Sequence, residues 1–192
     1  LQPLDTRIAD DCAVLFLALP HTAAMDKLPI FLQSECKIID LSADYRLKDP
    51  KAYTDWYSVT HTHPELLKQA VYGLPELHRE AIQPAQLVAN PGCYPTSVIL
   101  ALAPLLNTDW VNLDSIISDS KSGVSGAGRK PSLTSHYAEV NEGVSPYGLA
   151  DHRHTPEMEQ ELSGLAGKSV RLTFSPHLIP MTRGMLSTVY IN

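Results

Sequence analysis

The sequence has 192 residues, of which 44% are hydrophobic and 19% are charged, and this composition is typical of a globular protein. Fifteen lysines and arginines against 21 aspartates and glutamates give a formal net charge of −6. Because the sequence also lacks a basic run, nucleic acid is not expected as a partner. The longest apolar stretches, residues 13–20 and 98–106, are far shorter than the about 20 residues that a membrane span needs, so no membrane association is expected.

The three cysteines, Cys12, Cys36 and Cys93, lie far apart and form no CxxC pair. An odd number of separated cysteines indicates reduced thiols rather than a disulfide framework. Cys12 and Cys36 each precede an apolar run, where a cysteine usually behaves as a small buried hydrophobic residue. The first residues do not have the pattern of a secretory signal, and we expect a cytoplasmic protein, with a mature organellar one as the alternative.

Near the start of the chain, the pattern predicts two short strands with a helix between them. Residues 14–19 and 37–41 have the composition of buried strands, and residues 22–35 carry apolar side chains at helical spacing. Strand, helix and strand within about 30 residues are typical of a parallel sheet. Residues 48–84 lack a sustained period, so we predict an excursion with short helices there, followed by a third strand at residues 87–89.

The second half of the chain has a different pattern, which is typical of an α+β unit. Pro95 is predicted to open an apolar helix over residues 95–106, because proline is tolerated in the first turn of a helix. The remaining predicted elements are strands at residues 115–121, 170–176 and 186–191 and a helix at residues 156–165.

Cys93 lies in the motif Asn90-Pro-Gly-Cys-Tyr-Pro-Thr96, between a predicted strand and a predicted helix. A helix N-terminus has a positive dipole and backbone amide donors, and both lower the pKa of a thiol and make it a nucleophile. The same amides can hold the oxyanion of a tetrahedral intermediate. The local sequence leaves a second interpretation open, in which the cysteine is simply packed in a turn.

A second motif, His152-Arg-His-Thr-Pro-Glu157, lies at the predicted start of another helix. Thr155 is a good N-cap residue, which places His154 at the entry of the helix. We predict His154 as a general acid or base, with His152 and Glu157 as supporting residues. A structural histidine pair is the alternative. A metal site is not predicted, because no third ligand has suitable spacing.

The segment Ser122-Gly-Val-Ser-Gly-Ala-Gly-Arg-Lys130 is rich in glycine and ends in two cations. Successive small residues can expose backbone amides that form an anion-binding concavity, and the guanidinium of Arg129 suits phosphate or carboxylate. The spacing is that of neither a P-loop nor the dinucleotide fingerprint, and a flexible loop is the alternative. Arg46 and Arg183 are further candidate anion clamps, and His177 is a further candidate substrate residue.

Together, these motifs resemble the N-acetyl-gamma-glutamyl-phosphate reductases of the semialdehyde dehydrogenase superfamily. The resemblance runs in order over essentially the whole chain. It rests on residues 18–21, 40–46, 72–76, 90–96, 122–130, 152–157 and 176–184.

The resemblance implies the NADPH-dependent reduction of N-acetyl-gamma-glutamyl phosphate to N-acetylglutamate semialdehyde with release of phosphate, a step of arginine biosynthesis. It implies that Cys93 is the nucleophile that forms a thioester and that His154 is the catalytic histidine. The candidate residues for the cofactor NADP(H) are Ser122, Gly123, Ser125, Gly126, Ala127 and Gly128. The candidate residues for the acyl-phosphate substrate are Arg46, Arg129, His177 and Arg183.

The resemblance also implies a domain organisation. Residues 1–92 are expected to be the latter part of a Rossmann-like dinucleotide-binding domain of the α/β class. Residues 93–192 are expected to be a glyceraldehyde-3-phosphate-dehydrogenase-like catalytic and dimerisation domain of the α+β class with a mixed sheet. Family members open with a strand and a Gly-rich turn and continue beyond the final strand predicted here, so the chain resembles a central piece, incomplete at both ends. A homo-oligomer is implied as well.

Three alternatives remain open at this point. The first is an aspartate-semialdehyde dehydrogenase, which shares the mechanism but takes another substrate. The second is a cysteine hydrolase that uses Cys93 and His154 without a cofactor. The third is a binding or dimerisation fragment with no turnover of its own.

Overall fold

The computed structural model describes residues 6–106 and 108–192, so residues 1–5 of the first predicted domain lie outside the described part. The chain divides into two compact units, residues 1–92 and residues 93–192. In the described residues, each unit is built on a four-stranded sheet, and the two sheets differ in topology.

The first unit has a parallel sheet with the strand order β1-β2-β4-β3. This sheet confirms the parallel α/β arrangement that the strand, helix and strand pattern predicts. Its elements are β1 (Val14–Leu17), α1 (Ala23–Phe31), β2 (Lys37–Asp40), α2 (Pro50–Tyr57), β3 (Val71–Tyr72), α3 (Pro75–Ile82) and β4 (Leu87–Ala89). The excursion predicted at residues 48–84 contains α2, α3 and a 3-10 helix, Pro64–Lys68.

The core of the first unit lies between the sheet and α1. Leu28 and Phe31 lie three residues apart, and therefore on one face of α1, and both are buried with Ile38 of β2. Cys36 belongs to the same buried cluster, and the partly buried Cys12 packs against it. Both cysteines therefore act as small hydrophobic side chains of the core.

The first turn of α1 is capped by a side chain from beyond β2. The carboxylate of Asp44 accepts hydrogen bonds from the backbone amides of Thr22 at 2.9 Å and Met25 at 2.8 Å, and from the hydroxyl of Tyr53 at 2.8 Å. A carboxylate at a helix N-terminus satisfies amide donors and interacts favourably with the helix dipole. This helix start is therefore already occupied by an anionic group of the chain itself.

The second unit has a mixed sheet with the strand order β6-β7-β5-β8. Strands β5 and β7 are parallel, and β8 and β6 pair antiparallel at the two edges, which confirms the predicted mixed sheet. Its elements are α4 (Cys93–Leu102), β5 (Ile116–Ser122), α5 (Tyr137–Val140), β6 (Ser145–Pro146), α6 (His154–Ala166), β7 (Leu172–Leu178) and β8 (Met185–Tyr190). None of the helices in the described residues is long and apolar enough to span a bilayer.

Two helices begin earlier than the sequence predicts. Helix α4 begins at Cys93 rather than at Pro95, and α6 begins at His154 rather than at Pro156. The amides of the first turn make no intrahelical hydrogen bond, so a proline is tolerated at its third position as well as at its first. The earlier starts place Cys93 and His154 themselves in the first turn of a helix.

The mixed sheet has one face covered by helices and one open face. Side chains alternate along β5: Ser118 and Ser120 are buried, whereas Asp119 and Lys121 are half-buried on the opposite face. Helix α4 lies on the buried face, where its Ser97 hydrogen bonds to Ser187 of β8.

Candidate active site

Cys93 is the first residue of α4, and its side chain is exposed. Cys36 is buried and Cys12 is partly buried, so Cys93 is the exposed thiol among the three cysteines, all of which the structure describes. Burial, and secondarily the neighbouring Cys12, raises the pKa of the Cys36 thiol. A reactive cysteine needs access and a setting that favours the thiolate, and the start of α4 provides both for Cys93.

A cluster of aromatic rings lies at the start of α4. The ring of Tyr94 lies 5.8 Å from that of His152, 6.0 Å from that of His154 and 5.1 Å from that of Phe174. The hydroxyl oxygens of Tyr94 and Tyr147 are 2.8 Å apart, and the ring of Tyr147 lies 5.6 Å from that of His152. The structure thus brings both predicted histidines to the residue that follows Cys93.

Both phenols of this cluster have raised pKa values, and Cys93 is one of the causes. Burial raises the pKa of Tyr94, hydrogen bonds to Tyr147 and Ser122 oppose the rise, and the Cys93 charge adds to it. Burial likewise raises the pKa of Tyr147 well above its usual value, with further contributions from Tyr94 and Cys93. Both phenols therefore stay protonated at neutral pH, and one of their two hydroxyl hydrogens is used in the hydrogen bond between them.

His152 is held as a neutral imidazole. Its Nδ1 accepts a hydrogen bond from the backbone amide of His154 at 3.1 Å, so the proton of the neutral ring is on Nε2. Burial, and secondarily the charge of Arg153, lowers the pKa of His152 to about 4, although Asp151 acts in the opposite direction. At neutral pH, His152 is therefore a hydrogen-bond donor through Nε2 rather than a protonated acid.

His154 lies in the first turn of α6, and its ring is 4.8 Å from the ring of His152. The half-buried His154 side chain is therefore in the same aromatic cluster as Tyr94. Glu157 lies three residues after His154, still in the first turn of α6, and its side chain is buried. A carboxylate in the first turn interacts favourably with the helix dipole, which suits the supporting role predicted for Glu157.

Gly148 sets the place of the His152 ring. Its φ is +56°, and a Cβ atom there would lie 3.0 Å from Cδ2 and 3.2 Å from Cβ of His152. We expect Gly148→Ala to lower the free energy of unfolding by about 1–3 kcal/mol, because it strains the backbone and displaces the ring. Turnover should fall by about tenfold or more, since a misplaced catalytic group is costly. Urea denaturation and steady-state kinetics measure the two effects.

Gly164→Ala is the matched control for this substitution. Gly164 lies inside α6, and an added Cβ atom there would meet nothing within 4 Å. Alanine should stabilise this helix position by about 0.5–1 kcal/mol and leave turnover unchanged. Similar losses in both variants would show that Gly148 has no particular relation to His152.

Two histidines, the buried His61 and the half-buried His152, make stability depend on pH. Nε2 of His61 donates to the carbonyl of Asp44 at 2.8 Å, its Nδ1 accepts from the amide of His63 at 3.1 Å, and burial lowers its pKa. The pKa of His152 falls from 6.5 to about 4 on folding. Because the unfolded chain binds more protons between these values, the free energy of unfolding falls as pH falls from 6.5 to 4.

For His152, allowing for its partial exposure, we expect this loss of stability to be on the order of 2 kcal/mol. Urea unfolding measured from pH 7 to pH 4 should therefore show a shallower pH dependence for His152→Gln than for the unmodified chain. Identical slopes would show that His152 is not held neutral by the fold.

The Gly-rich loop after β5 does not form the predicted anion-binding concavity. The amides of Gly123, Val124 and Ser125 donate to carbonyls of residues 181–184 at 2.9, 2.8 and 3.0 Å. The amides of Gly126 and Gly128 donate to carbonyls within the loop. These amides are therefore already hydrogen-bonded, and a phosphate would have to break existing bonds to use them.

Gly123 is needed for close packing instead. A Cβ atom at this position would lie 2.9 Å from both the amide nitrogen of Arg183 and the carbonyl oxygen of Met181. The backbone of the segment that contains Arg183, a predicted anion clamp, thus packs directly on the Gly-rich loop.

The cations that follow this loop line a cavity of about 450 Å³. Arg129 and Lys130 lie on its wall with Ser125, Tyr137 and Thr182. A cavity of this size accommodates a small molecule, and its two cations favour an anion. The structure therefore keeps Arg129 in a position suited to an anionic substrate.

Two other predicted substrate residues, Arg46 and His177, contact other groups of the chain. Arg46 is buried, and it donates from Nε to the carbonyl of Asn90 at 2.7 Å and from Nη2 to the carbonyl of Leu41 at 3.2 Å. These bonds give it a structural role at the end of β4. His177 lies on the open face of the mixed sheet, where its Nδ1 is 3.2 Å from Oδ1 of Asp119. Side chains alternate along a strand, so His177 points away from the aromatic cluster.

Sequence reasoning missed Tyr94 and Tyr147, whose hydroxyls meet although the residues are 53 positions apart. Tyr94 lies inside the cysteine motif, and Tyr147 lies five residues before His152. The sequence signal for both tyrosines was their position in or near the cysteine and histidine motifs. A single tyrosine has no spacing pattern of its own, and only the folded chain brings the pair together.

Comparison with known proteins places the chain in a family. Residues 93–192 match the family described as semialdehyde dehydrogenase, dimerisation domain, and residues 1–85 match the one described as semialdehyde dehydrogenase, NAD binding domain. The chain belongs to the semialdehyde dehydrogenase family. The family resemblance inferred from the motifs is thereby confirmed, together with the α/β fold class.

Curated relatives in this family carry the name N-acetyl-gamma-glutamyl-phosphate reductase. The relative from Syntrophobacter fumaroxidans is 59% identical over 189 residues, which are 98% of this chain and 55% of the relative. The relative from Geotalea daltonii is 58% identical over 191 residues, which are 99% of this chain and 54% of the relative. The chain therefore spans about half the length of the curated relatives it matches.

Solved structures of semialdehyde dehydrogenases share the fold. Aspartate semialdehyde dehydrogenase II from Vibrio cholerae has a TM-score of 0.70 at 15% identity, over 96% of this chain and 56% of that chain. Aspartate semialdehyde dehydrogenase from Candida albicans, solved with NADP, has a TM-score of 0.58 at 12% identity, over 94% of this chain and 51% of that chain. At such identities the similarity concerns the fold alone.

The described residues fit part of a nicotinamide dinucleotide. Open parallel sheets bind nucleotides at the carboxyl ends of their strands, and here the exposed His21 follows β1 and the exposed Leu41 follows β2. The amides at the start of α1 are bonded to Asp44, and those of the Gly-rich loop are bonded to carbonyls. The exposed residues at these strand ends belong to the first unit, and the amides named here are already hydrogen-bonded within each unit.

Proposed function

We propose that the protein catalyses the NADPH-dependent reduction of N-acetyl-gamma-glutamyl phosphate to N-acetylglutamate semialdehyde and phosphate, in arginine biosynthesis. The observation that carries this proposal is the exposed Cys93 at the start of α4, beside the cluster that contains His152 and His154. The relatives at 58–59% identity are named N-acetyl-gamma-glutamyl-phosphate reductase, which supports the same reaction and substrate.

The first step is acylation of Cys93. Its thiolate attacks the carbonyl carbon of the acyl phosphate, and a carbon–sulfur bond forms. The resulting oxyanion collapses, and the bond between the acyl carbon and the bridging oxygen of the phosphate breaks. The electron pair of this bond leaves with the phosphate. The amides at the start of α4 are donors for the oxyanion, and one of the two protonated phenols, Tyr94 or Tyr147, can donate to it while the two remain hydrogen-bonded to each other.

His154 is proposed to transfer the proton in this step. We assign it to accept the proton of the Cys93 thiol before the attack, which forms the thiolate, and to give that proton to the leaving phosphate oxygen. His152, neutral and protonated on Nε2, can donate a hydrogen bond within the site. The roles of the two rings therefore differ, although they lie 4.8 Å apart.

The cofactor and the anionic groups of the substrate complete the site. When bound, NADPH would supply a hydride to the carbonyl carbon of the thioester. The carbon–sulfur bond then breaks, which releases the aldehyde and returns the electron pair to the Cys93 sulfur. His21 and Leu41, at the carboxyl ends of β1 and β2, are the residues that we assign to its surface. The cavity with Arg129 and Lys130 is proposed to hold the phosphate or the carboxylate of the substrate.

A homodimer formed through the open face of the mixed sheet is part of this proposal. The register places Ile117 opposite Tyr190 and Lys121 opposite Leu186, and the exposed fractions of Ile117, Tyr190 and Leu186 are 43%, 55% and 62%. Exposed apolar side chains grouped on one sheet face are typical of a subunit interface. Analytical ultracentrifugation should show a dimer that Leu186→Glu dissociates, and a monomeric unmodified chain would refute this part.

A cytoplasmic location also belongs to the proposal, because the chemistry needs a reduced thiol at Cys93. Cytosolic glutathione and thioredoxin keep thiols reduced, whereas oxidising compartments favour disulfides.

Phosphate-dependent reduction of NADP tests the substrate in the reverse direction. We expect faster reduction with N-acetylglutamate semialdehyde than with aspartate semialdehyde, and a preference for aspartate semialdehyde would make the protein an aspartate-semialdehyde dehydrogenase. A cysteine hydrolase would instead hydrolyse acyl phosphates without cofactor. Isothermal titration with NADPH addresses the third alternative, since a chain that binds no cofactor and turns nothing over is only a binding or dimerisation unit.

A further inference from the structure

A row of serine hydroxyls runs under helix α4, on the covered face of the mixed sheet. The serine row consists of Ser118 and Ser120 of β5, Ser187 of β8 and Ser97 of α4. Neighbouring oxygens are 3.2 Å apart from Ser118 to Ser120, 2.8 Å from Ser120 to Ser187 and 2.7 Å from Ser187 to Ser97. Ser118 and Ser120 are fully buried, at positions where apolar residues are usual.

The direction of these hydrogen bonds follows from the number of hydrogens. A serine hydroxyl has one hydrogen to donate, and that of Ser97 goes to the carbonyl oxygen of Tyr94 at 2.9 Å. The sulfur of Met185 is a weak acceptor at 3.8 Å and does not compete. With the Ser97 hydrogen on the carbonyl of Tyr94, Ser187 donates to Ser97, and each remaining hydroxyl donates to the next one toward α4.

All hydrogen bonds of the serine row thus point the same way, from the sheet to the helix. Aligned hydrogen bonds polarise and strengthen one another, most of all where water is excluded. The row ends on the carbonyl of Tyr94, which is the residue directly after Cys93. Ser97 itself lies one helical turn beyond Cys93.

We propose that the serine row is a positioning element for the reactive thiol. It ties the first turn of α4 to β5 and β8 at one orientation, and so it fixes the Cys93 sulfur relative to the helix dipole and the first-turn amides. Small apolar side chains would allow the same close approach of helix and sheet, but they would not specify the orientation. The inference rests on the proposed role of Cys93 as nucleophile.

The pH dependence of Cys93 alkylation by iodoacetamide tests this inference. Ser187→Ala should raise the pH midpoint of alkylation and slow the reaction at pH 7 by about two- to fivefold, the range that a first-turn dipole interaction supplies. Ser187→Thr keeps the hydroxyl and suits a strand, so it should restore the unmodified profile. Ser118→Ala removes only the far end of the row and should have a smaller effect than Ser187→Ala.

Ser163→Ala is a matched control, because it removes a structural hydroxyl elsewhere in the same unit. Oγ of Ser163 accepts a hydrogen bond of 2.9 Å from the backbone amide of Val170, a residue that lies beyond the end of α6. This variant should lower the denaturation midpoint without changing the alkylation profile. If Ser187→Ala does the same, the serine row only stabilises packing and the inference is wrong.

The same data separate this failure from a failure of the proposed function. If Cys93 of the unmodified chain alkylates with the pH midpoint of about 8.5 that an ordinary thiol has, then the proposed nucleophile is refuted and the inference falls with it. A low midpoint that Ser187→Ala leaves unchanged refutes the serine row alone.

Discussion

Replacing Cys93 with alanine is expected to abolish the reduction of N-acetyl-gamma-glutamyl phosphate, with a loss of at least about 10⁴-fold in turnover. Without the sulfur no thioester can form, and the remaining donors of the site cannot replace a nucleophile. The oxidation of NADPH, followed at saturating substrate, measures this loss.

Cys12→Ala and Cys36→Ala are the controls for this result. Both side chains lie in or against the core of the first unit, so the substitutions should lower stability and leave the turnover of folded protein nearly intact. Equal losses of turnover in the three variants would refute the assignment of Cys93.

For His154→Gln we expect turnover to fall by about 10²–10⁴-fold, the usual contribution of a positioned general acid or base. Glutamine keeps a polar group of similar size, but it cannot accept and return the proton of the thiol. The decrease should appear mainly in kcat, because the substitution removes proton transfer rather than substrate contacts. Steady-state kinetics over a range of pH measures both constants.

His177→Gln is the matched control for His154→Gln. His177 lies on the open face of the mixed sheet against Asp119, and its replacement should leave kcat unchanged. Unchanged turnover in His154→Gln, with a large decrease in His152→Gln, would move the proton-transfer role to His152.

The sequence predicted Cys93 and His154 because their signals are local. A helix start shows in a few neighbouring residues, and Pro95 and Pro156 mark the two starts to within two positions. Six strands were predicted for a similar reason, since each is a short apolar or β-branched run, whereas the two-residue strands β3 and β6 were not predicted. Helices α2 and α3 were harder to predict because each has only eight residues and no sustained period.

The surroundings of the other predicted site residues depend on contacts that no local pattern encodes. Three amides of the Gly-rich loop donate to carbonyls of residues 181–184, more than 50 positions further along the chain. The face on which His177 lies depends on the register of β7, and a shift of one residue reverses it. Arg46 donates a hydrogen bond to the carbonyl of Asn90, which lies 44 residues further along the chain.

The most direct test of the account is acylation of the chain in the absence of cofactor. Incubation with freshly generated N-acetyl-gamma-glutamyl phosphate should release phosphate in a single burst of about one equivalent per chain, and peptide mass spectrometry should find the N-acetylglutamyl group on Cys93 as a thioester. Phosphate release without a burst, or an acyl group on another residue, would contradict the assignment of Cys93 as the nucleophile.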